Sequence, residues 1–207
     1  MENIDNSIKA VVYSKNVVEF VTVANEYCNY LEQSIDTDSQ GFIDSVLKIL
    51  SLLYLKALLL PTVQQLNEEG NEKFVTEFDW QFIKNGVEAQ LLEKDTYLDF
   101  FDSEMNETPE PVISSISENL ADIYQDLKDF IEIYKLGNED LSNDAIYECK
   151  LSFIEIWGFR LTNSLRMLHY LCFMPINENA FDAKNQKSIR LKDWFEKKVR
   201  KEISSND

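Results

Sequence analysis

The sequence predicts an all-α protein, a single-domain bundle of about six helices around one central, mostly buried helix at 143–174. Apolar residues recur at steps of three and four along most of the chain, which is the spacing of a helix face. Glycine and proline are scarce, with five and four among 207 residues, so long helices with short connections are favoured. That length is enough for one domain with a substantial core.

The central helix is predicted from apolar residues that cover most of its circumference. One stripe comprises Tyr147, Leu151, Ile154, Gly158, Leu161, Leu165, Leu168 and Cys172. A second stripe, on the opposite side, comprises Cys149, Phe153, Ile156, Arg160, Asn163, Met167, Tyr170 and Met174. The polar flank, which we expect to be the only solvated side, comprises Glu148, Ser152, Glu155, Thr162, Arg166 and His169. A helix with so narrow a polar face must be surrounded by other helices.

The first two helices follow from the same spacing and from their end signals. A helix is predicted over 8–33, where a single apolar face repeats. The second helix begins at Asp38 or Ser39, because both residue types favour the N-cap position. It ends before Pro61, which cannot continue a helix.

The middle of the chain is predicted to be less regular. Residues 62–76 are polar and are expected to form a loop. A third helix is predicted over 79–93, with Asp79 as its cap. Residues 97–112 hold five acids, two prolines and no base, and are predicted to be an irregular connection.

The second half begins with a clear helix start. Ser115 and Glu118 fit a capping box, so a fourth helix begins there, and Gly137 is its predicted C-cap. The connection at 138–142 is short, so the central helix should pack antiparallel to the fourth. A last, basic amphipathic helix is predicted over 188–203.

The charge of the chain restricts its partners. The net charge is -17, which disfavours DNA, RNA and anionic membranes and favours cations or a basic protein. No membrane span is expected, because Asp44, Lys48 and Lys56 interrupt the most hydrophobic stretch, 42–60. The first six residues do not resemble a secretory signal.

The three cysteines are odd in number and far apart, each among apolar residues. We expect Cys28, Cys149 and Cys172 to be free buried thiols rather than disulfide partners or metal ligands. Reduced thiols and the lack of a signal sequence indicate a cytoplasmic protein.

The charge is unevenly distributed, which indicates two candidate contact regions. Residues 184–207 carry eight of the twenty bases but four of the thirty-seven acids, so 1–183 has twelve bases and thirty-three acids. We divide the chain into an acidic bundle (1–183) and a basic C-terminal helix (184–207). That helix either packs on its own bundle or acts as a detachable arm. The acidic segment 97–112 is either a solvated connection or a docking or cation-binding loop. Either segment is a candidate contact for another protein, and the oligomeric state is left open.

One group of polar residues interrupts the apolar pattern and is the candidate site. Arg160 and Asn163 lie within the second stripe, so Arg160 needs a carboxylate partner, for which Glu26 and Asp126 are the candidates. Arg166 and His169, on the polar flank nearby, complete the candidate cluster. The cluster is interpreted either as a structural ion pair or as an anion pocket. No residue is predicted to be catalytic, and no metal or cofactor is predicted.

Four stretches together resemble a known family. They are EFVTVANEYCNYLE (19–32), LYLKALLLP (53–61), ENLADIYQDLKDF (118–130) and FIEIWGFRLTNSLRMLH (153–169). The chain resembles the bacterial family described as a domain of unknown function, DUF5063. The resemblance implies an all-helical bacterial protein and brings no activity, cofactor or site residues.

Two classes of function remain at this stage. The first is a non-enzymatic interaction or regulatory module, which the charge asymmetry favours. The alternative is a metal-dependent enzyme that handles phosphates or nucleotides, with carboxylates that converge only in the folded chain. A di-iron bundle is disfavoured because it needs two Glu-x-x-His motifs and the chain has one histidine.

Overall fold

Residues 2–33, 38–67, 70–100 and 111–173 are described by a computed structural model. Their α-helices are α1 (Glu2–Val12), α2 (Lys15–Gln33), α3 (Ser39–Leu58), α4 (Glu77–Leu91), α5 (Ile116–Lys135), α6 (Glu139–Ser152) and α7 (Gly158–Phe173). A 3-10 turn (Leu92–Lys94) and strands β1 (Thr96–Phe100) and β2 (Pro111–Ser115) lie between α4 and α5. A π turn (Phe153–Trp157) joins α6 to α7. The prediction of an all-α bundle is confirmed, with one small hairpin added.

The predicted first helix, 8–33, is two helices in the structure. The chain turns at Tyr13 and Ser14, and the Ser14 carbonyl accepts the N–H of Val18 at 3.0 Å, as an N-cap residue does. After this turn α2 packs on α3 and α5, whereas α1 packs on α6. The break therefore lets one amphipathic segment cover two different neighbours.

The next two helices begin with side-chain caps. Asp38 caps α3 as predicted, and its carboxylate accepts the Gly41 N–H at 3.0 Å. The predicted cap of α4 is wrong by three residues, because Thr76 is the N-cap and Asp79 is its capping-box partner. Asp79 Oδ2 accepts the Thr76 N–H at 3.0 Å, and the Thr76 hydroxyl oxygen accepts the Asp79 N–H at 3.2 Å.

The sequence predicted that segment 97–112 is irregular throughout, but the structure has regular strands at both of its ends. Its ends belong to β1 and β2, which pair antiparallel with Leu98 opposite Ile113. In an ordinary half-buried strand the apolar side chains face inward and the polar ones face outward, but this hairpin does not follow that pattern. Tyr97 is buried and Asp99 is half-buried, whereas Leu98 and Ile113 are exposed, so the sequence shows no ordinary strand pattern. Residues 101–110 of the acidic segment lie outside the described residues.

Helices α5 and α6 form an antiparallel pair with a very short turn. Ser115 caps α5, and Gly137, with φ +70°, follows its C-terminal end as predicted. The predicted connection 138–142 is too long, because Asn138 is the N-cap of α6 and the helix begins at Glu139. The last residue of the predicted central helix, Met174, lies outside the described residues.

A π turn divides the predicted central helix. At its end the Gly158 N–H donates to the carbonyl of Phe153, five residues earlier. The turn also needs a residue without a side chain, since a Cβ at Gly158 would collide with that carbonyl and with the Phe153 ring. The extra residue in the turn changes which face of the helix points to the core.

The buried face passes from one apolar stripe to the other at this turn. In the first stripe Leu151 and Ile154 are exposed, whereas Gly158, Leu161 and Leu168 are buried. In the second stripe Cys149 and Phe153 are buried, whereas Ile156 and Tyr170 are exposed. The prediction of a single solvated flank is therefore wrong, because it assumed a constant helical period through 143–174.

The core lies between α2, α3, α5 and the α6–α7 segment. Trp157 is fully buried; its ring packs on Phe20 and Phe153, and its indole N–H donates to the Cys149 carbonyl at 3.1 Å. These elements belong to one compact unit, Met1–Cys172. The predicted basic helix at 184–207 lies outside the described residues, so the division at 183 stays a prediction. Over the described ranges, no helix has the length and apolar character that crossing a membrane requires.

Candidate functional site

Arg160 pairs with a carboxylate of α5, but with neither predicted partner. Its Nη1 lies 2.5 Å from Asp122 Oδ2, and Asp122 Oδ1 accepts the indole N–H of Trp80 at 2.8 Å. The Arg160 side chain is 40% exposed, so it is not the buried charge that the sequence predicted. The π turn accounts for the difference, because it moves the second stripe toward solvent from that point on.

The two predicted partners lie elsewhere. Glu26 is exposed on α2. Asp126 lies one turn after Asp122 on α5 and accepts the hydroxyl of Ser152 at 2.9 Å. Burial raises the pKa of the Asp126 carboxyl and outweighs that hydrogen bond, which lowers it. Asp126 therefore joins α5 to α6 rather than pairing with Arg160.

The remaining predicted residues lie near the hairpin. Asn163 Nδ2 donates to Asp99 Oδ2 at 2.8 Å, and Arg166 Nη2 lies 3.4 Å from Asp99 Oδ1. These contacts attach β1 to α7. His169 is exposed at the next turn of α7. The structure thus brings the predicted α7 residues into two separate contacts, one with α5 and one with β1.

A buried carboxylate of α5 holds the end of the extended segment between α3 and α4. We call residues 61–76 the strap; it is described at 61–67 and 70–76. Asp129 is buried, and its Oδ1 accepts the N–H groups of Phe74 and Val75 at 2.8 and 2.9 Å. Lys73 lies 3.8 Å from Asp129 Oδ2. Backbone donors without a strand partner are satisfied in this way.

Two carboxylates of α6 hold other described residues of the strap. Asp144 uses both oxygens, accepting the Leu66 N–H at 2.7 Å on one and the Asn67 N–H at 3.0 Å on the other. Glu148 accepts the Asn71 N–H at 2.9 Å. These acids serve backbone groups, and within the described ranges no set of three His, Cys, Asp or Glu side chains is placed to hold a metal ion.

A cleft of about 430 Å³ opens between α4, α5, the end of α2 and the strap. This volume falls within the range of small-molecule and side-chain pockets. Its apolar walls are Phe74 and Val75 of the strap and Phe82 and Ile83 of α4. Because Asp129 binds the backbone of Phe74 and Val75, it fixes one wall of the cleft.

The polar side of the cleft carries more acids than bases. Glu32 Oε1 accepts hydrogen bonds from the Tyr124 hydroxyl and the Lys128 ammonium, both at 2.8 Å. Burial, reinforced by Glu32, raises the pKa of Tyr124. Burial also disfavours the charge on Lys128, but its neighbours, Glu32 first among them, together outweigh burial and raise the pKa of Lys128. Glu132 and Asp79 complete this side, so three carboxylates and one ammonium line the cleft, and the Lys135 ammonium lies 2.9 Å from Glu132 Oε1.

The sequence reasoning missed the cleft because its walls come from four separate elements. One local signal was present. Phe74, Phe78 and Phe82 occur at every fourth position; Phe74 lies in the strap before α4, and Phe78 and Phe82 are exposed on α4, whereas Ile83 and Val87 are buried. Aromatic residues repeated on an outer helix face indicate a surface that is not simply solvated.

The fold and the site define an all-α bundle in which carboxylates of α5 and α6 hold the strap between α3 and α4. An aromatic and acidic cleft lies beside α4. The chain belongs to the family described as Domain of unknown function (DUF5063), which matches residues 11–174. The predicted resemblance is thereby confirmed. The chain is also similar to protein BF1032 from Bacteroides fragilis, whose crystal structure superposes with a TM-score of 0.71 at 40% identity, covering 81% of this chain and 98% of that one. A comparison with curated proteins gives no match.

Proposed function

We propose that this protein is a non-enzymatic interaction module that binds a partner protein through the surface of α4. The observation that carries the proposal is the row of Phe74, Phe78 and Phe82, whose residues are 37%, 79% and 46% exposed. Burying an exposed phenylalanine gains ~1.5–3 kcal/mol. Exposed aromatic residues beside a cleft are typical of the anchors that dominate protein interfaces.

The charge of the chain supports a basic partner. A net charge of -17 attracts a positively charged protein and repels nucleic acid. The proposal keeps the acidic segment 97–112 and the basic segment 184–207 as further regions of contact. Their support is the charge of their residues.

The alternative, a metal-dependent enzyme acting on phosphates or nucleotides, would need carboxylates that converge on a ligand. Several acids of α5 and α6 are engaged by the chain itself. Asp129, Asp144 and Glu148 accept backbone N–H groups of the strap, and Asp126 accepts the hydroxyl of Ser152. This use of the carboxylates favours the interaction module.

The proposal also places the protein in the cytoplasm. Cys28 and Cys149 are buried free thiols as predicted, and burial raises the pKa of both, whereas Cys172 is a half-buried free thiol. Such thiols behave as small apolar core residues, which suits a reducing compartment.

The test is site-specific photo-crosslinking with the full chain in a lysate of its source organism. A photoreactive benzoyl-phenylalanine replaces Phe78 on α4 or, as a control, Phe159 on α7, which is 63% exposed. We expect one protein to crosslink at position 78 and not at 159. The crosslink should be lost when Phe82→Ser is added. Equal labelling at both positions, or labelling unaffected by Phe82→Ser, would refute the proposal.

A further inference from the structure

We infer that the cleft beside α4 receives an arginine or lysine side chain from an amphipathic segment of the partner protein. The inference rests on the proposed function, because it names the chemistry that the α4 surface recognises. It follows from three properties of the cleft: its apolar walls, its excess of acids and the exposed phenylalanine at its edge.

The walls suit the carbon chain of a long basic residue. Phe74 and Val75 of the strap and Phe82 and Ile83 of α4 line the cleft, so a methylene chain that enters contacts apolar surface. Long basic side chains bury their stems in this way while the charged end reaches polar groups. Aromatic faces add an attraction for the cation itself.

The charged groups of the cleft favour a cation and disfavour an anion. Glu32, Asp79 and Glu132 line it with one base, Lys128, and Lys135, which is not among the lining residues, lies 2.9 Å from Glu132 Oε1. Within the described part of the chain, Oε2 of Glu32, Oδ1 of Asp79 and Oε2 of Glu132 accept no hydrogen bond. These oxygens are therefore available to a guanidinium or ammonium group, which has only donors. A carboxylate or phosphate would meet three like charges.

The exposed edge of the cleft distinguishes a protein segment from a small cation. Phe78 is one turn before Phe82 on α4 and is 79% exposed, so the apolar surface continues beyond the cleft. A free polyamine would leave Phe78 in water. An amphipathic segment places its basic residue in the cleft and an apolar residue on Phe78, and such helices are a common mode of groove recognition.

The test uses fluorescence anisotropy with the full chain and two short labelled peptides. The first is an amphipathic peptide of leucine, alanine and arginine, and the second carries neutral citrulline in place of each arginine. We expect the dissociation constant of the arginine peptide to be at least about tenfold lower than that of the citrulline peptide. One charge-assisted hydrogen bond contributes enough binding free energy for a difference of this size. The affinity of the arginine peptide should fall as salt is added.

Matched variants identify the groups responsible. Glu132→Gln in the cleft should weaken the arginine peptide several-fold, whereas Glu155→Gln, an exposed acid in the π turn, should leave its affinity unchanged. Lys128→Met removes the competing base and should strengthen binding. Phe82→Ser should weaken both peptides, and Phe159→Ser should weaken neither. Circular dichroism confirms that each variant is folded.

Each result decides the inference separately from the proposed function. If the two peptides bind equally well and both still need Phe82, the inference that the cleft receives a basic side chain is refuted. The proposal that the surface of α4 binds a partner would stand. Failure of both peptides to bind, or spermidine binding as tightly as the arginine peptide, would overturn the inference. The crosslink at position 78 then decides independently whether α4 binds a protein.

Discussion

Substituting asparagine for each of two strap-holding aspartates should have very different effects. Both N–H groups that Asp129 binds point at the same oxygen, Oδ1, so asparagine can keep both hydrogen bonds through its carbonyl. Its new amide group replaces Oδ2, which lies 3.8 Å from Lys73 and accepts no hydrogen bond from the described residues. Asp144 instead accepts backbone N–H groups on both oxygens, from Leu66 and Asn67. An asparagine there must direct its own amide at a donor.

The magnitudes follow from the number of bonds lost. Asp129→Ala removes two hydrogen bonds to a charged acceptor, at ~1.5–3 kcal/mol each, so it should lower the free energy of unfolding by about 3–6 kcal/mol. Asp129→Asn only weakens those bonds and should lower it by about 1–2 kcal/mol. Asp144→Asn loses at least one bond and leaves a buried donor facing another, so we expect ~3–4 kcal/mol, close to Asp144→Ala.

Urea unfolding at neutral pH, followed by circular dichroism, measures all four variants. The decisive quantity is the difference between asparagine and alanine at each position, which should be large for Asp129 and small for Asp144. If Asp129→Asn were as destabilising as Asp129→Ala, the charge rather than the shared oxygen would hold the strap. If Asp144→Asn were as mild as Asp129→Asn, the two-oxygen geometry would be wrong.

Four other predictions concern stability, measured by chemical unfolding. Arg160→Met and Asp122→Asn should show a coupling of ~0.5–1 kcal/mol in a double-mutant cycle, because the pair is partly exposed; zero coupling would mean that the contact contributes nothing. Leu161→Ala should lose ~2–5 kcal/mol, since Leu161 is fully buried, and a loss below about 1 kcal/mol would place the core elsewhere. Leu92→Gly should gain ~1 kcal/mol because Leu92 has φ +52°, and a destabilised variant would contradict this strain. Asp126→Asn should stabilise the protein at pH values above the raised pKa of Asp126, because the folded chain disfavours the ionised carboxyl. This gain in stability should disappear as the pH falls below about 4, the usual aspartate pKa. A gain that does not depend on pH would refute burial as its cause.

The fold was largely predictable because its elements carry local signals. The cap at Asp38, the stop before Pro61 and the turn at Gly137 are set by neighbouring residues, and the structure has all three. The hairpin was missed because Tyr97 and Asp99 face inward, where contacts with α5 and α7 satisfy their polar atoms. Such contacts exist only in the folded chain.

The candidate site was less predictable, since it depends on which helix faces meet. The need of Arg160 for a carboxylate could be read from the sequence, but the choice of Asp122 over Glu26 and Asp126 depends on the rotation that the π turn introduces. No contact was predicted for Asp129 of α5. Asp129 is instead buried beneath the strap, whose path no helical period indicates.

The π turn also limits how this chain can change in length. A π turn is equivalent to one residue inserted into a continuous helix, so deleting one residue from Phe153–Trp157 would leave an unbroken α-helix. All of α7 would then rotate by roughly 100° relative to α6. Leu161 would leave the core, and Arg160 and Asn163 would turn away from Asp122 and Asp99. Relatives that share this packing should therefore keep the residue count between α6 and α7 constant, while length variation falls in the connections.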